Sequence, residues 1–529
     1  MEAATERTLI KAMLQPDFYD HPVEQVTQIE THISWVFLAG DFAYKVKKPV
    51  NFGFLDFSTL AKRHHFCLEE LRLNRRFAPQ LYLGVNQIGG DPACPEMHGR
   101  PALDYAVKMR RFAQQDQLDR VLAAGLMGAR QLDRFAIMIA KVHQAADVAG
   151  PEQPYGTPQA VIDPVLENFT QIKALLSVKE FRKLNGLEEW TRKCCDDRHE
   201  ILWQRKAEGF IRECHGDLHL ANMAWVDNEP ILFDCIEFND NLRWIDVIND
   251  IAFLVMDLDD RGEARLGWHF LNSYLQESGD YQGLQLLRFY KLYRAMVRTK
   301  VLCMRLGQPG LSDTERKLDI ELYHSYLDLA SSYTAKQTRR LIITHGLSGS
   351  GKSTFVRKLS DSCGFIHLQS DRERKRLHGL SATTNSHSPP GGGIYDDMAN
   401  QATYERLQLL AKAVLTAGYS VIVDATFLKM LQRDRLRYLA EELSVPLFIL
   451  DFQVAEAELR RRIQQRATEG VDISEANMTV LGYQLAEQQP LSEEERALAL
   501  TVWPDTMPDE VTNRLSERDY DRTQGRFDS

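Results

Sequence analysis

The sequence predicts a multidomain chain: an upstream α+β region with a small sheet lobe and a larger helical lobe, then an α/β domain on a parallel sheet. Three observations predict this. At 529 residues the chain exceeds what one hydrophobic core organises, and about two to four domains are expected. Upstream, strand-like segments at 34–38, 42–47 and 105–109 come early, and helical patterns follow from about residue 131 to 329. Downstream, apolar runs at 365–368, 421–423 and 447–450 alternate with helical patterns at 402–415 and 455–466, the order of parallel strands joined by crossover helices.

These patterns set the expected boundaries. The upstream domain spans 1–330, with its sheet lobe over about 1–110 and its helical lobe over about 111–330. A polar stretch without apolar periodicity, 331–338, reads as the linker, and the α/β domain runs over 339–505. The remainder, 506–529, reads as a polar C-terminal tail. One low-complexity loop, 381–393, is rich in Ser, Thr, Pro and Gly and reads as mobile.

Hydrophobic residues make up 44% and charged residues 26%, a globular composition, and no apolar run approaches the roughly 18 residues of a membrane span. The first residues are acidic and lack a basic-then-apolar leader, so a cytoplasmic location is expected. Eight cysteines follow no repeated spacing, and Cys194 and Cys195 are adjacent, which reads as free thiols. A net charge of −10 argues against a general nucleic-acid binder, so nucleic acid is not the favoured partner.

The most specific signal is Gly346-Leu347-Ser348-Gly349-Ser350-Gly351-Lys352-Ser353, which fits the phosphate-binding pattern GxxxxGK[ST] between an apolar strand (341–343) and a helical pattern (354–359). Glycines let the backbone curl so that N–H groups point at phosphate oxygens, and the following helix adds its positive end. The nucleotide-binding set expected here is Gly346, Gly349, Ser350, Gly351, Lys352, Ser353 and Thr354. Within it Lys352 reaches the β- and γ-phosphates and Ser353 ligates Mg²⁺.

A second constellation lies upstream. In His215-Gly216-Asp217-Leu218-His219-Leu220-Ala221-Asn222 an Asp and an Asn stand five apart, and Asp234 follows twelve residues later after the apolar run 231–233. Phosphoryl transfer needs a carboxylate beside the acceptor hydroxyl, here Asp217, and oxygen ligands for Mg²⁺ on ATP, here Asn222 and Asp234. The segment resembles the aminoglycoside phosphotransferase and choline kinase-like superfamily. That resemblance implies a protein-kinase-like bilobal fold and makes Lys45, in Phe42-Ala43-Tyr44-Lys45, the partner of the α- and β-phosphates. Lys47 lies on the same strand face and is the reserve candidate, and Glu70 is the expected glutamate partner. No GxGxxG precedes Lys45. Asp246 and Asp250 are expected to cap and brace the catalytic loop, as is His215.

Downstream of the glycine-rich loop, the strand at 365–368 ends in Gln369-Ser370-Asp371, which places Asp371 at the carboxyl end of a strand, where ligands gather in open α/β sheets. It is the candidate acceptor of the hydroxyl proton there, with Arg372 and Arg433 as candidate substrate contacts. Asp424 ends the next strand in a Walker B-like position and is a candidate metal ligand. Arg462 and Arg466, four apart on one helix face, are the candidate lid arginines over the triphosphate. This half is similar to the P-loop kinase group of polynucleotide kinases, gluconate kinases and zeta toxins.

The combined expectation is a bifunctional ATP- and Mg²⁺-dependent phosphotransferase, each domain moving a γ-phosphoryl group to a small-molecule or nucleotide-type hydroxyl. The alternative is an ATPase or ATP-binding regulatory protein in which one domain senses nucleotide and controls the other.

Overall fold

The computed structural model describes residues 3–53, 55–175, 181–307, 310–389, 391–469, 475 and 477–523. It divides into two compact units, 1–257 with 293–327 and 258–292 with 328–529. Among the described residues no helix is long and apolar enough to cross a membrane.

In the first unit six strands form one antiparallel sheet: β1 Val26–Glu30, β2 Ser34–Ala39, β3 Phe42–Lys47, β4 Tyr82–Asp91, β5 Cys94–Met97 and β6 Ala102–Arg110. Their order is β1-β2-β3-β6-β4-β5. Strand β3 alternates two kinds of face. Tyr44 and Val46 enter an apolar cluster with Met13, Trp35 and Phe37, so period-two pleating sends Lys45 and Lys47 together to the opposite side. The helix Leu60–Asn74 starts at Thr59, whose hydroxyl accepts from Lys62 N, and it buries Cys67, Glu70 and Leu73.

The helical lobe carries two short antiparallel pairs. Strand β7 (Ile211–Glu213) pairs with β10 (Trp244–Asp246), and β8 (Met223–Val226) pairs with β9 (Glu229–Leu232). Asp227 and Asn228 both have positive φ, 52° and 61°, which makes the β8–β9 link a tight turn of the type Asx residues tolerate. Asp246 ends β10, and the helix that follows, Val247–Asp260, carries Asp250.

The second unit holds a fully parallel sheet of β11 Leu341–His345, β12 Ile366–Gln369, β13 Val421–Asp424, β14 Leu447–Phe452 and β15 Ala499–Val502, in the order β12-β13-β11-β14-β15. The central strands β11 and β13 are mostly buried apolar runs, as sheets covered by helices require.

Two boundaries differ from those expected. The segment 258–292 belongs with the P-loop sheet, because helix Ala264–Ser278 pairs Asn272 with the backbone of Phe365 and His367 and His269 with Asp361. The stretch 506–529 is not a plain polar tail. Helix Pro508–Thr523 buries Val511 and Leu515, one turn apart, in the core with Phe365, Phe452 and Val502.

Candidate functional site

In the first unit the β8–β9 hairpin explains the spacing of the upstream constellation. Met223 pairs with Leu232, and Phe233 N donates to Asn222 O at 3.1 Å, so residues twelve apart in sequence become neighbours. Asp234 follows with φ 62°, a left-handed conformation, and its side chain is half exposed. Lys45 Nζ lies 2.5 Å from Asp234 Oδ1 and 2.9 Å from Glu70 Oε1. Lys47 Nζ lies 2.7 Å from Glu70 Oε2 and also donates to Glu237, a carboxylate the sequence reading did not single out. Only its position three residues after Asp234 hinted at it.

Charge sharing sorts these acids. Burial pulls the Glu70 carboxyl up, but two lysines outweigh it and hold it down at about 2. Burial is the largest influence on Glu237, and with the neighbouring Glu70 carboxylate it outweighs Lys47 and Lys45, so its pKa is raised. Burial likewise lowers Lys45, and Asp234 with Glu70 more than reverses this, leaving the amine firmly charged.

The catalytic-loop segment is fixed by backbone donors. Asp250 Oδ1 accepts from Gly216 N at 2.8 Å, and its Oδ2 accepts from His215 N and pairs with His143, each at 3.1 Å. His143, Cys214 and Asp250 lie close enough to share a metal, but the carboxylate is spent on these N–H groups and burial keeps the Cys214 thiol protonated. The trio is a brace. Asp246 pairs with Arg205 at 2.6 Å and accepts from Ile248 N, capping the helix start. His215 bonds Phe233 O at 2.9 Å, and burial lowers its pKa, so the ring is neutral and structural.

Asp217 lies beside this frame, with Asn222 Nδ2 donating to its Oδ2 at 3.0 Å and His219 at 3.3 Å. Burial raises the Asp217 carboxyl, and His219 more than reverses it, holding the pKa well below the usual carboxylate range. Because Asn222 spends its NH₂ on Asp217, its carbonyl oxygen is the part left for a cation.

In the second unit the glycine-rich loop joins β11 to helix Lys352–Cys363, with Gly346, Gly349 and Gly351 at φ 142°, 85° and 90°. Gly349 is demanded twice, by its φ and because a Cβ there would stand 3.2 Å from Leu459 O. Lys352 Nζ lies 2.9 Å from Gly346 O and 2.7 Å from Leu347 O, inside the curl of the loop. Gln484 exchanges hydrogen bonds of 2.9 Å with Ser348 N and Oγ, clamping the loop tip.

A cavity of about 430 Å³ opens beside the loop. Gly349, Gly351, Lys352, Ser353 and Thr354 line it together with Asp371 and Asp424, whereas Gly346 and the buried Ser350 do not. Ser350 Oγ instead donates to Leu347 O at 2.8 Å, bracing the turn. Burial pulls the Asp424 carboxyl up, and hydrogen bonds from His367 and Ser353 bring it below its ordinary value.

The basic residues fall differently from expectation. Arg433 is buried, with its guanidinium on Glu495 at 2.6 and 3.0 Å and on the Phe427 carbonyl, so it is a structural cation with nothing left for a substrate. Arg372 does not line the cavity; its Nε donates to Gln369. Arg374 lines it, three residues after Asp371 on the same helix face, with Nη1 on Ile394 O and a buried Nε without a hydrogen-bond partner. Helical spacing from Asp371 was the signal for Arg374. Arg462 reaches Ser350 O at 3.4 Å while held by Glu458. The side chain of Arg466 lies outside the described residues.

Comparison with known proteins matches residues 61–287 to the model of the phosphotransferase enzyme family and 341–491 to that of an AAA domain. An uncharacterized protein of Mycobacterium tuberculosis (strain ATCC 25618 / H37Rv) is 34% identical over 414 residues, 77% of this chain and 80% of that protein. An uncharacterized protein of Mycobacterium bovis matches with the same identity and coverage. Among solved structures, an amicoumacin kinase in complex with AMP-PNP, Ca²⁺ and Ami aligns at 15% identity and a TM-score of 0.41, covering 62% of this chain and 96% of that one. A gluconokinase from Sinorhizobium meliloti 1021 aligns at 18% and 0.25, covering 35% and 98%.

Proposed function

The chain is an ATP-dependent kinase that belongs to one family with uncharacterized mycobacterial proteins 34% identical to it and carries a phosphotransferase-family domain ahead of an AAA domain, and from that premise we propose that it is bifunctional, each domain passing the γ-phosphoryl group of ATP to its own hydroxyl acceptor. What supports this reading is that Asn222 bonds Asp217 in the first unit, while Asp371, Ser353 and Asp424 line one cavity in the second.

In the first unit Lys45, held by Glu70, grips the α- and β-phosphates. The Asn222 carbonyl and Asp234 carboxylate are hard oxygen donors that fit Mg²⁺. When bound, that ion neutralises charge on the triphosphate. Asp217 is ionised at neutral pH and holds a proton weakly, so it chiefly orients the acceptor hydroxyl and takes its proton late.

In the second unit the loop N–H groups and Lys352 cradle the phosphates, and Ser353 and Asp424 supply the oxygens that fit Mg²⁺. Asp371 receives the acceptor proton, and Arg374, rather than Arg372 or Arg433, meets the acceptor. Arg462 steadies the loop from the lid side.

The test is a screen of hydroxyl metabolites and nucleosides with radiolabelled ATP on the full chain, followed by Asp217→Ala and Lys352→Ala. Each substitution is expected to cut one transfer by about 10²–10⁴-fold and spare the other. Loss of both transfers from either change would contradict the proposal.

A further inference from the structure

The reading above leaves one buried histidine of the P-loop unit without a role. His367 sits on β12, 4% exposed, with its Nε2 3.1 Å from Asp424 Oδ2 on the neighbouring strand. A carboxylate accepts only, so Nε2 carries the proton and the tautomer is set. His367 does not line the cavity, whereas Asp424 and Ser353 do, so whatever it does there passes through Asp424.

His367 is itself anchored. Its backbone N–H donates to Asn272 Oδ1 at 2.9 Å, while Asn272 Nδ2 donates to Phe365 O at 3.0 Å. Strand β12 is the edge of the sheet, so a side chain of helix Ala264–Ser278 supplies the pairing that a further strand would otherwise give. The hydrogen bond between His269 Nδ1 and Asp361 Oδ2, at 2.9 Å, fixes that helix one turn away.

We propose that His367 is a positioning residue of the P-loop site, holding one oxygen of Asp424 so that the carboxylate keeps a single orientation toward Ser353, and that Asn272 holds His367 in turn. The proposal rests on the reading that Asp424 and Ser353 carry the divalent cation. Groups that hydrogen-bond a ligating side chain restrict its rotamers, and losing one costs about 10–100-fold in metal affinity.

The experiment titrates Mn²⁺ into the full chain saturated with a non-hydrolysable ATP analogue and reads bound ion by electron paramagnetic resonance. An Asp234→Ala background weakens the cation site of the other unit. His367→Phe keeps the ring and loses the donor, and is expected to weaken Mn²⁺ by about 10–100-fold. His367→Gln keeps a donor and is expected to stay within about threefold of the parent. Asn272→Ala is expected to shift affinity in the same direction by less. Should His367→Phe fail to fold, His367→Gln against His367→Ala carries the comparison, with near-parent affinity expected for Gln alone. Parent-like Mn²⁺ binding by His367→Phe, or equal losses for Phe and Gln, overturns the proposal. If Asp424→Ala also leaves Mn²⁺ binding unchanged, the cation reading beneath it fails first.

Discussion

Lys47 is fully buried between two carboxylates, and that arrangement sets what its loss does. Lys47→Met leaves Glu237 without its bonded cation and Glu70 with one instead of two, so a destabilisation of about 3–5 kcal/mol is expected in urea unfolding. A change below about 1 kcal/mol would show that the buried carboxylates find other compensation. Glu70 adds a pH dependence whose sign follows from its shift. Its folded value, about 2, lies below the ordinary 4.5, so the stability it contributes is present above pH 4.5 and is lost as pH falls toward 2. Glu237, raised by burial, changes stability in the opposite direction. Unfolding midpoints measured from pH 6 to 3 are expected to fall less steeply in Glu70→Gln than in the parent, and an unchanged slope would contradict the assignment. The sequence made Lys45 and Glu70 legible because a family spacing points to them. Glu237 was not, since nothing local marks a loop glutamate as the partner of a lysine 190 residues away.

Strand and helix periods made most elements legible, and where they misled, the reason is physical. Strands β3, β11 and β13 fall where apolar runs are bounded by turns. The glycine-rich loop was legible because its motif requires a strand before and a helix after it. Arg433 was not legible as structural, because a buried arginine and a substrate-binding one share the same letters until Glu495, 62 residues on, is seen against it. Adjacency in sequence sets Arg372 beside Asp371, but on a helix the residue three on shares the face, so Arg374 rather than Arg372 lines the cavity. Helix Pro508–Thr523 was missed because its mean character is polar and, among its described side chains, only Val511 and Leu515 mark the inward face. Leu515→Ala is expected to cost about 2–5 kcal/mol by chemical denaturation. A loss under about 0.5 kcal/mol would return this segment to the status of a tail.

The division of the chain as a whole is the feature least legible in sequence. A polar linker at 331–338 suggested a clean cut, yet the P-loop unit includes 258–292. Such long-range recruitment is invisible to local periodicity, because an amphipathic helix does not state which core it joins. A fragment of residues 331–529 lacks His269 and Asn272, which leaves β12 with an unpaired edge and Asp361 without its partner. That fragment is expected to melt well below the full chain or to aggregate, and melting at the full-chain temperature would contradict the division. Function at this level rests on there being two nucleotide sites, and counting them is the most direct test. Calorimetry with a non-hydrolysable ATP analogue and Mg²⁺ is expected to give two equivalents per chain. Lys45→Ala or Lys352→Ala should leave one, and the double substitution none. A single equivalent in the parent chain, or loss of both from one substitution, would contradict the account.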